Sequence, residues 1–143
     1  MADLSQQYLI EAIDYNPETG CFTWKDRPRH HFNCDRGFKM WNARYSGSRA
    51  GFFVGDYVSL CIDNITYCAH RLAWLYIHGS MPNGEIDHIN GIRDDNRITN
   101  LRDVTKSENL KNKRPSKKRG GAPIGIYWVD SRKKWEACIK VNG

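Results

Sequence analysis

Three polar side chains between residues 86 and 110 could together hydrolyse a phosphodiester bond. Asp87 and His88 are adjacent, and Asn109 follows further along the chain. Hydrolysis needs a base that activates water, and an imidazole suits that role at neutral pH. It also needs a cation to stabilise charge on the phosphoryl and leaving oxygens, and carboxylate and amide oxygens are ligands for Mg²⁺. These residue types therefore predict a metal-dependent hydrolytic site.

The pattern around the three residues predicts two short strands followed by a helix. Ile86 and Ile89 bracket the Asp-His pair, a polar loop follows, and residues 101–104 can form the second strand. Thr105 and Glu108 have the spacing of a capping box, which predicts a helix that begins directly after Thr105. Asn109 then lies in the first part of this helix and could point back towards the strands.

Adjacent residues on a regular strand face opposite ways. Asp87 and His88 can therefore share one cleft only if the strand bends or ends at this pair. The Asn90-Gly91 pair that follows is typical of a turn and favours such an ending.

Elsewhere the chain predicts a helix over residues 4–13 with Asp3 as its N-cap, a tight hairpin at Asp63-Asn64 and a helix over residues 70–78. Residues 26–48 show no clear period, which predicts a long loop. We interpret His30 and His31 within it as scattered loop histidines rather than a metal site. We interpret His70 as a structural histidine, hydrogen-bonded beneath the hairpin, rather than as a catalytic one.

Basic charge is concentrated at the C-terminal end of the chain. Residues 104–143 hold 11 lysines and arginines against 3 acidic residues, a net charge of +8, whereas residues 1–103 carry a net charge of −2. A basic block of this kind neutralises phosphates and favours nucleic acid, although a solvated tail has the same composition. The stretch 114–123 is a basic linker rich in Gly and Pro, and the residues after it predict two further strands.

The cysteines and the apolar runs exclude several classes of protein. The five cysteines are odd in number and include no CxxC pair, so neither a disulfide framework nor a zinc-finger spacing is present. The N-terminal residues lack the pattern of a signal peptide, and no apolar run is long enough to span a bilayer. We therefore expect a soluble cytoplasmic protein without membrane partners.

The stretch from Ile86 to Asn112 resembles the HNH (ββα-metal) endonucleases, in the variant whose last motif position is Asn. His88, Asn100 and Asn109 match the three motif positions within the pattern DHINGxxxDNRxxNLR. The upstream segments around Tyr15–Gly20 and HRLAWLY resemble the leaders of phage-encoded HNH homing endonucleases. The final segment, GIYWVDSRKKWEACIKVNG, resembles the first part of the Apetala/ethylene-response-factor DNA-binding domain, without its third strand and helix.

The resemblance implies a role for each motif residue. His88 would be the general base, and Asp87 and Asn109 would bind one divalent metal ion, Mg²⁺ or Mn²⁺. Asn100 would hold the loop of His88 by hydrogen bonds. The products would carry 5′-phosphate and 3′-hydroxyl ends. Phosphate contacts would come from basic residues in and after the motif: Arg93, Arg97, Arg102, Lys111, Lys113, Arg114, Lys117, Lys118 and Arg119.

The predicted fold class is α+β, with an N-terminal mixed αβ module (1–83), an HNH ββα-metal unit (84–113), a basic linker (114–123) and a partial DNA-binding β-ribbon (124–143). The expected function is cleavage of double-stranded DNA in the cytoplasm of a bacterial host, as a phage homing endonuclease. Two alternatives remain: a non-catalytic DNA-binding protein that uses the basic segment, and a small structural or interaction protein. The oligomeric state stays open, with a monomer slightly favoured.

Overall fold

The computed structural model describes residues 4–112 together with two strands, Ile126–Val129 and Lys134–Ala137. The chain forms two compact units, Met1–Asn109 and Leu110–Gly143. Within the described residues, four helices combine with small antiparallel sheets, so the predicted mixed α+β class is confirmed. None of the described helices is long and apolar enough to cross a membrane.

The first unit begins with helix α1 (Gln6–Ala12), which leads directly into strand β1 (Ile13–Asn16). The side chain of Ser5 accepts a hydrogen bond from the backbone N–H of Tyr8 and caps the helix, so the prediction of Asp3 as the cap was wrong. Strand β1 pairs with β2 (Cys21–Trp24), and β2 pairs with β3 (Arg49–Ala50).

Residues 26–48 are not the long loop that the sequence predicts. They contain a 3-10 turn (Arg29–His31) and helix α2 (Asp35–Tyr45), capped by the side chain of Cys34. Phe38, Trp41 and Tyr45 recur at helical spacing, and the ring of Trp41 packs edge-on against Trp24 at 5.1 Å. The many polar residues between these aromatic positions hid the helical period from sequence analysis.

A second sheet consists of β4 (Phe52–Val54), β5 (Tyr57–Ile62) and β6 (Ile65–Cys68). The predicted hairpin between β5 and β6 is confirmed, because Asp63 and Asn64 both have positive φ, as a type I′ turn requires. Helix α3 (Ala69–His78) follows, as predicted, and ends at Gly79 in the left-handed conformation.

The hydrophobic core joins both sheets to α1 and α3. The residues that pack there are almost fully buried and come from α1, β1, β2, β3, β5, α3 and one later position: Leu9, Ile13, Tyr15, Phe22, Ala50, Leu60, Ile62, Ala69, Leu72, Ala73, Leu75 and Leu101. Leu101 belongs to the segment that carries the predicted chemistry. The core therefore anchors that segment to the N-terminal part of the chain.

A two-stranded antiparallel hairpin and a helix close the first part of the chain. Strand β7 (Glu85–His88) pairs with β8 (Leu101–Val104). Helix α4 (Lys106–Asn112) begins after Thr105. The predicted capping box is confirmed, because the backbone N–H of Thr105 donates to Glu108 Oε2 at 2.8 Å and the N–H of Glu108 donates to Thr105 Oγ1 at 3.3 Å.

In the second unit, strands β9 (Ile126–Val129) and β10 (Lys134–Ala137) pair in antiparallel fashion, with Trp128 opposite Trp135. The predicted linker at 114–123 lies outside the described residues. The division at residues 83, 113 and 123 stays a prediction.

The turn between β1 and β2 lies directly against the loop that precedes β8. A Cβ atom at Gly20 would come within 2.6 Å of both Asn96 C and Arg97 N. The backbone N–H of Ile98 donates to the carbonyl of Pro17 at 3.2 Å, and the Tyr15 hydroxyl donates to the carbonyl of Asn96 at 2.7 Å. The N-terminal segment therefore fixes the position of this loop.

Substituting the glycine at this contact should cost more than substituting a glycine in open space. Gly20 and Gly47 both have φ near +75°, but no atom lies within 4 Å of a Cβ at Gly47. Gly47→Ala should lose about 1–2 kcal/mol of unfolding free energy from backbone strain alone. Gly20→Ala should lose about 1–3 kcal/mol beyond that, because its methyl group overlaps backbone atoms. Urea denaturation of both variants measures the difference, and equal losses would contradict the close approach.

Candidate functional site

The β7–β8 hairpin carries Asp87 and His88 as the last two residues of its first strand. Strand β7 ends at His88, which pairs with Leu101, and a turn follows directly, as the Asn90-Gly91 pair indicated. Along the strand, alternation places Glu85 and Asp87 on one face.

The imidazole of His88 is held in a buried polar environment. The residue is 7% exposed, and its Nε2 lies 3.4 Å from Oδ1 of Asn96. The ring of His70 packs edge-on against it at a centroid distance of 5.2 Å, and the ring of Tyr57 lies 6.2 Å away. The ring thus contacts one hydrogen-bonding amide, from Asn96, and lies beside two aromatic rings, those of His70 and Tyr57.

Asn100 ties together the loop that follows His88. Its Oδ1 accepts a hydrogen bond from the backbone N–H of Asn90 at 3.0 Å, and its Nδ2 donates to the carbonyl of Asp95 at 2.8 Å. Its own carbonyl accepts from the N–H of Ile89 at 2.9 Å. This buried side chain therefore spans the loop between β7 and β8 from both sides.

Asp87 forms an ion pair with Arg102, its direct cross-strand partner. Asp87 Oδ2 accepts from Arg102 Nε at 3.0 Å and from Nη2 at 2.6 Å. The side chain of Asp87 is 18% exposed and that of Arg102 is 43% exposed. The structure thus joins a predicted metal ligand to a predicted phosphate-binding residue, so a cation at Asp87 would lie beside this guanidinium and be repelled by its charge.

Asn109 contacts the other carboxylate on the same strand face. Its Nδ2 donates to Oε2 of Glu85, which lies two residues before Asp87 on β7. Two residues of strand correspond to about 6.6 Å along the chain. This face therefore carries two carboxylates and an amide, the hard oxygen donors that Mg²⁺ and Mn²⁺ accept. The sequence did not single out Glu85.

The two arginines of the β7–β8 loop lie at its exposed rim. Arg93 Nη1 contacts Oδ2 of Asp56 at 2.7 Å. Arg97 donates two hydrogen bonds to Asp95, at 2.8 and 2.6 Å, and these bonds lower the pKa of the Asp95 carboxyl to about 2. Both guanidinium groups are about half exposed, so they can reach an anion from the surface.

His70 differs from its predicted role in one respect. It is buried beneath the hairpin, but among the described residues its Nδ1 has no hydrogen-bond partner. Burial, with further contributions from His88 and Arg71, lowers the pKa of His70 to about 4. The ring is therefore neutral at pH 7. It lines a small cleft together with Glu85, Ile86 and Asn109.

His30 and His31 are not scattered, although a metal ion does not suit the arrangement. Both Nε2 atoms lie 3.0 Å from Oε2 of Glu11. Nδ1 of His31 accepts a hydrogen bond from Nε of Arg27 at 3.3 Å, so in the neutral ring Nε2 carries the proton and donates to Glu11. A donor N–H cannot ligate a metal, and the guanidinium adds positive charge beside it.

Asn96 is a buried residue beside His88 that the sequence did not single out as a site residue. Its Nδ2 donates to the carbonyl of Asp94 at 3.2 Å and so ties the loop to its own backbone. The contact with His88 could not be anticipated, because it depends on how the loop folds back over the strand.

The basic segment after the motif, from Lys111 to Arg119, is only partly covered by the described residues. Lys111 lies on α4 and is exposed. The other predicted phosphate-binding residues of this segment lie outside the described residues: Lys113, Arg114, Lys117, Lys118 and Arg119.

Comparison with known proteins adds one finding. No curated protein and no solved structure matches the chain significantly. The family model HNH_3, described as HNH endonuclease, matches residues 67–111, which is less than half of the chain. The matched stretch runs from the end of β6 to α4 and includes Asp87, His88, Asn100 and Asn109. The match supports an HNH nuclease in this part of the chain, and hence a metal-dependent enzyme that acts on DNA.

Proposed function

We propose that the chain is a DNA endonuclease that hydrolyses phosphodiester bonds with His88 as its general base. The observation that carries the proposal is the loop after His88. Within the stretch that matches the HNH family, the buried Asn100 bonds to both sides of this loop. A base held in place by its surroundings is what proton transfer in a transition state requires.

In this proposal His88 takes a proton from a water molecule, and the resulting hydroxide attacks phosphorus. The bond between phosphorus and the 3′ oxygen breaks, and the leaving oxygen takes up a proton from solvent. The products carry 5′-phosphate and 3′-hydroxyl ends. Because His88 is almost fully buried, only a water molecule that enters between the hairpin and its neighbours can meet the base.

Asp87 and Asn109 would hold one divalent cation, through a carboxylate oxygen and Oδ1 of the amide. The oxygen donors on this strand face suit Mg²⁺ or Mn²⁺. When bound, the cation would stabilise negative charge on the phosphoryl and leaving oxygens. Arg102 would then leave Asp87, and its exposed guanidinium could contact a phosphate.

DNA would bind through charge on two parts of the chain. Arg93 and Arg97 line the exposed rim of the β7–β8 loop, close to the proposed site. The basic residues from Lys111 to Arg119 would add contacts to the DNA backbone that do not depend on sequence. The partial resemblance of the final segment to a DNA-binding domain supports the same role.

The leader segments support a biological role as a phage homing endonuclease in a bacterial host. Tyr15 to Gly20 and the α3 residues HRLAWLY resemble the leaders of such enzymes. In this structure the first of these segments contacts the loop at Asn96. In such an enzyme the leader would thus also help to hold the loop between β7 and β8 in place.

A non-catalytic DNA-binding protein is the second candidate, and one observation favours it. Arg102 occupies the carboxylate of Asp87, the proposed metal ligand. If this ion pair persisted in the presence of metal and DNA, the chain would bind DNA through its basic segment without cutting it.

Nicking of supercoiled plasmid separates these candidates. With Mg²⁺, the protein should convert supercoiled DNA to open-circular or linear forms, and EDTA should abolish the reaction. His88→Ala should slow it about 100-fold or more, since a general base contributes at least that factor. His78→Ala is the matched control, because His78 lies at the far end of α3 against Trp74 and should leave the rate unchanged.

Circular dichroism of both histidine variants should match that of the unsubstituted protein. A mobility shift without nicking would support the non-catalytic candidate. Nicking that persists in a folded His88→Ala variant would remove His88 as the base.

Releasing Asp87 from its ion pair should strengthen metal binding. In Arg102→Gln, the Mn²⁺ concentration that gives half-maximal nicking should fall about two- to fivefold, because a partly exposed ion pair is worth up to about 1 kcal/mol. Arg93→Gln, which removes the pair with Asp56 instead, should leave the midpoint unchanged. An unchanged midpoint in Arg102→Gln would argue against Asp87 as a ligand.

The contribution of the basic segment is measurable from the salt dependence of binding. Replacing Lys117, Lys118 and Arg119 by Gln should lower the slope of log K against log salt by up to about 3, since each phosphate contact contributes about 0.9. Replacing the exposed Arg36, Lys39 and Arg44 of α2 removes the same charge elsewhere and should change the slope less. Equal changes in both variants would show that only net charge matters.

A further inference from the structure

We infer that Asn96 is a positioning residue that holds His88 in one tautomer, with the proton on Nε2 and the lone pair on Nδ1. We infer further that the N-terminal segment holds Asn96 in place. The inference rests on the proposed function in one respect, namely that His88 is the general base. The contacts that fix the tautomer are independent of that function.

The orientation of the Asn96 amide follows from its two partners. Nδ2 donates to the carbonyl of Asp94 at 3.2 Å, and this bond requires the nitrogen on that side. Oδ1 must then face Nε2 of His88, at 3.4 Å. An amide oxygen only accepts hydrogen bonds, so in the neutral ring Nε2 must carry the proton. Nδ1 is left as the nitrogen that can take a proton from water.

The packing around His88 keeps the two ring nitrogens from exchanging places. A half-turn of the ring would bring Cε1 towards the Asn96 oxygen and lose the hydrogen bond. Asn96 is 2% exposed and His88 is 7% exposed, so solvent has little access to replace that bond. The rings of His70 and Tyr57 lie beside the imidazole and restrict its rotation.

The backbone of Asn96 is held from outside the stretch that matches the HNH family. The hydroxyl of Tyr15 donates to the Asn96 carbonyl at 2.7 Å. Burial raises the pKa of Tyr15 to about 12, so this hydroxyl remains a donor at neutral pH. The turn at Gly20 packs against the same peptide, within a distance that excludes a methyl group. The leader thus contributes to the site indirectly. Tyr15 contacts Asn96, and Asn96 contacts His88.

The tautomer has a direct chemical consequence. When Nδ1 takes a proton from water, the ring becomes an imidazolium whose Nε2–H still donates to Asn96. The amide oxygen then stabilises the positive charge without moving. In the opposite tautomer, Nε2 would have to accept the proton, and it would face an oxygen that cannot donate one.

Nitrogen-15 NMR of the full chain tests the tautomer without metal or DNA. The spectra are recorded under conditions in which the ring is neutral. The resonances of His88 are identified by their loss in His88→Gln. We expect Nε2 to give the signal of a protonated ring nitrogen and Nδ1 that of an unprotonated one. A wild-type protein with the proton on Nδ1 would overturn the inference.

Two variants of Asn96 test whether this residue sets the tautomer of His88. Asn96→Leu removes the acceptor and should shift His88 to a mixture of tautomers. Asn96→Asp keeps an acceptor and should keep the proton on Nε2. Unchanged His88 resonances in Asn96→Leu would show that Asn96 does not set the tautomer. Should Asn96→Leu fail to fold, Tyr15→Phe removes only the hydroxyl and keeps the ring contact with Phe22, and it should increase the minor tautomer.

Kinetics separate this inference from the proposed function. If the chain nicks DNA, Asn96→Leu should lower kcat about 10- to 100-fold with little change in KM, as loss of a supporting hydrogen bond does at other sites. Asn96→Asp should restore much of the loss. A wild-type protein that shows the predicted tautomer but never nicks DNA would refute the function and leave the role of Asn96 intact.

Discussion

The loop between β7 and β8 depends on the hydrogen bonding of two buried amides. Burying a polar group without a partner costs free energy comparable to a lost hydrogen bond. Asn96 and Asn100 avoid this cost because each bonds to the loop's own backbone, and Asn96 also meets His88. The loop therefore has one conformation in which all these groups are paired, and the position of the imidazole follows from it.

Strand β7 brings the parts of the candidate site together at its end. By strand alternation Glu85 and Asp87 share one face, which collects oxygen donors and is partly exposed. His88 is the last residue of the strand, and its ring packs towards the core. His70 packs against that ring and also lines the cleft with Glu85 and Asn109, so the histidine and the oxygen donors meet around one cleft.

Local patterns predicted the local features well. The hairpin at Asp63-Asn64 and the capping box at Thr105 each depend on residues within a few positions, so the sequence alone was sufficient. Helix α2 was missed because its aromatic face is interrupted by polar residues. The partners of Asp87 and Asn109 were missed for another reason. Cross-strand register and the placement of α4 decide them, and neither can be read from spacing along the chain.

Contacts between residues far apart in the chain also explain why the leader matters to the site. A family pattern identifies residues that share a short segment, and here it covers residues 67–111. The hydrogen bond from Tyr15 and the contact of Gly20 come from about eighty positions earlier, yet they fix the peptide of Asn96. Leu101 also packs in the core with residues of α1 and α3, so the core helps to position the hairpin. The matched segment holds the candidate site residues, and contacts from the rest of the first unit contribute to their placement.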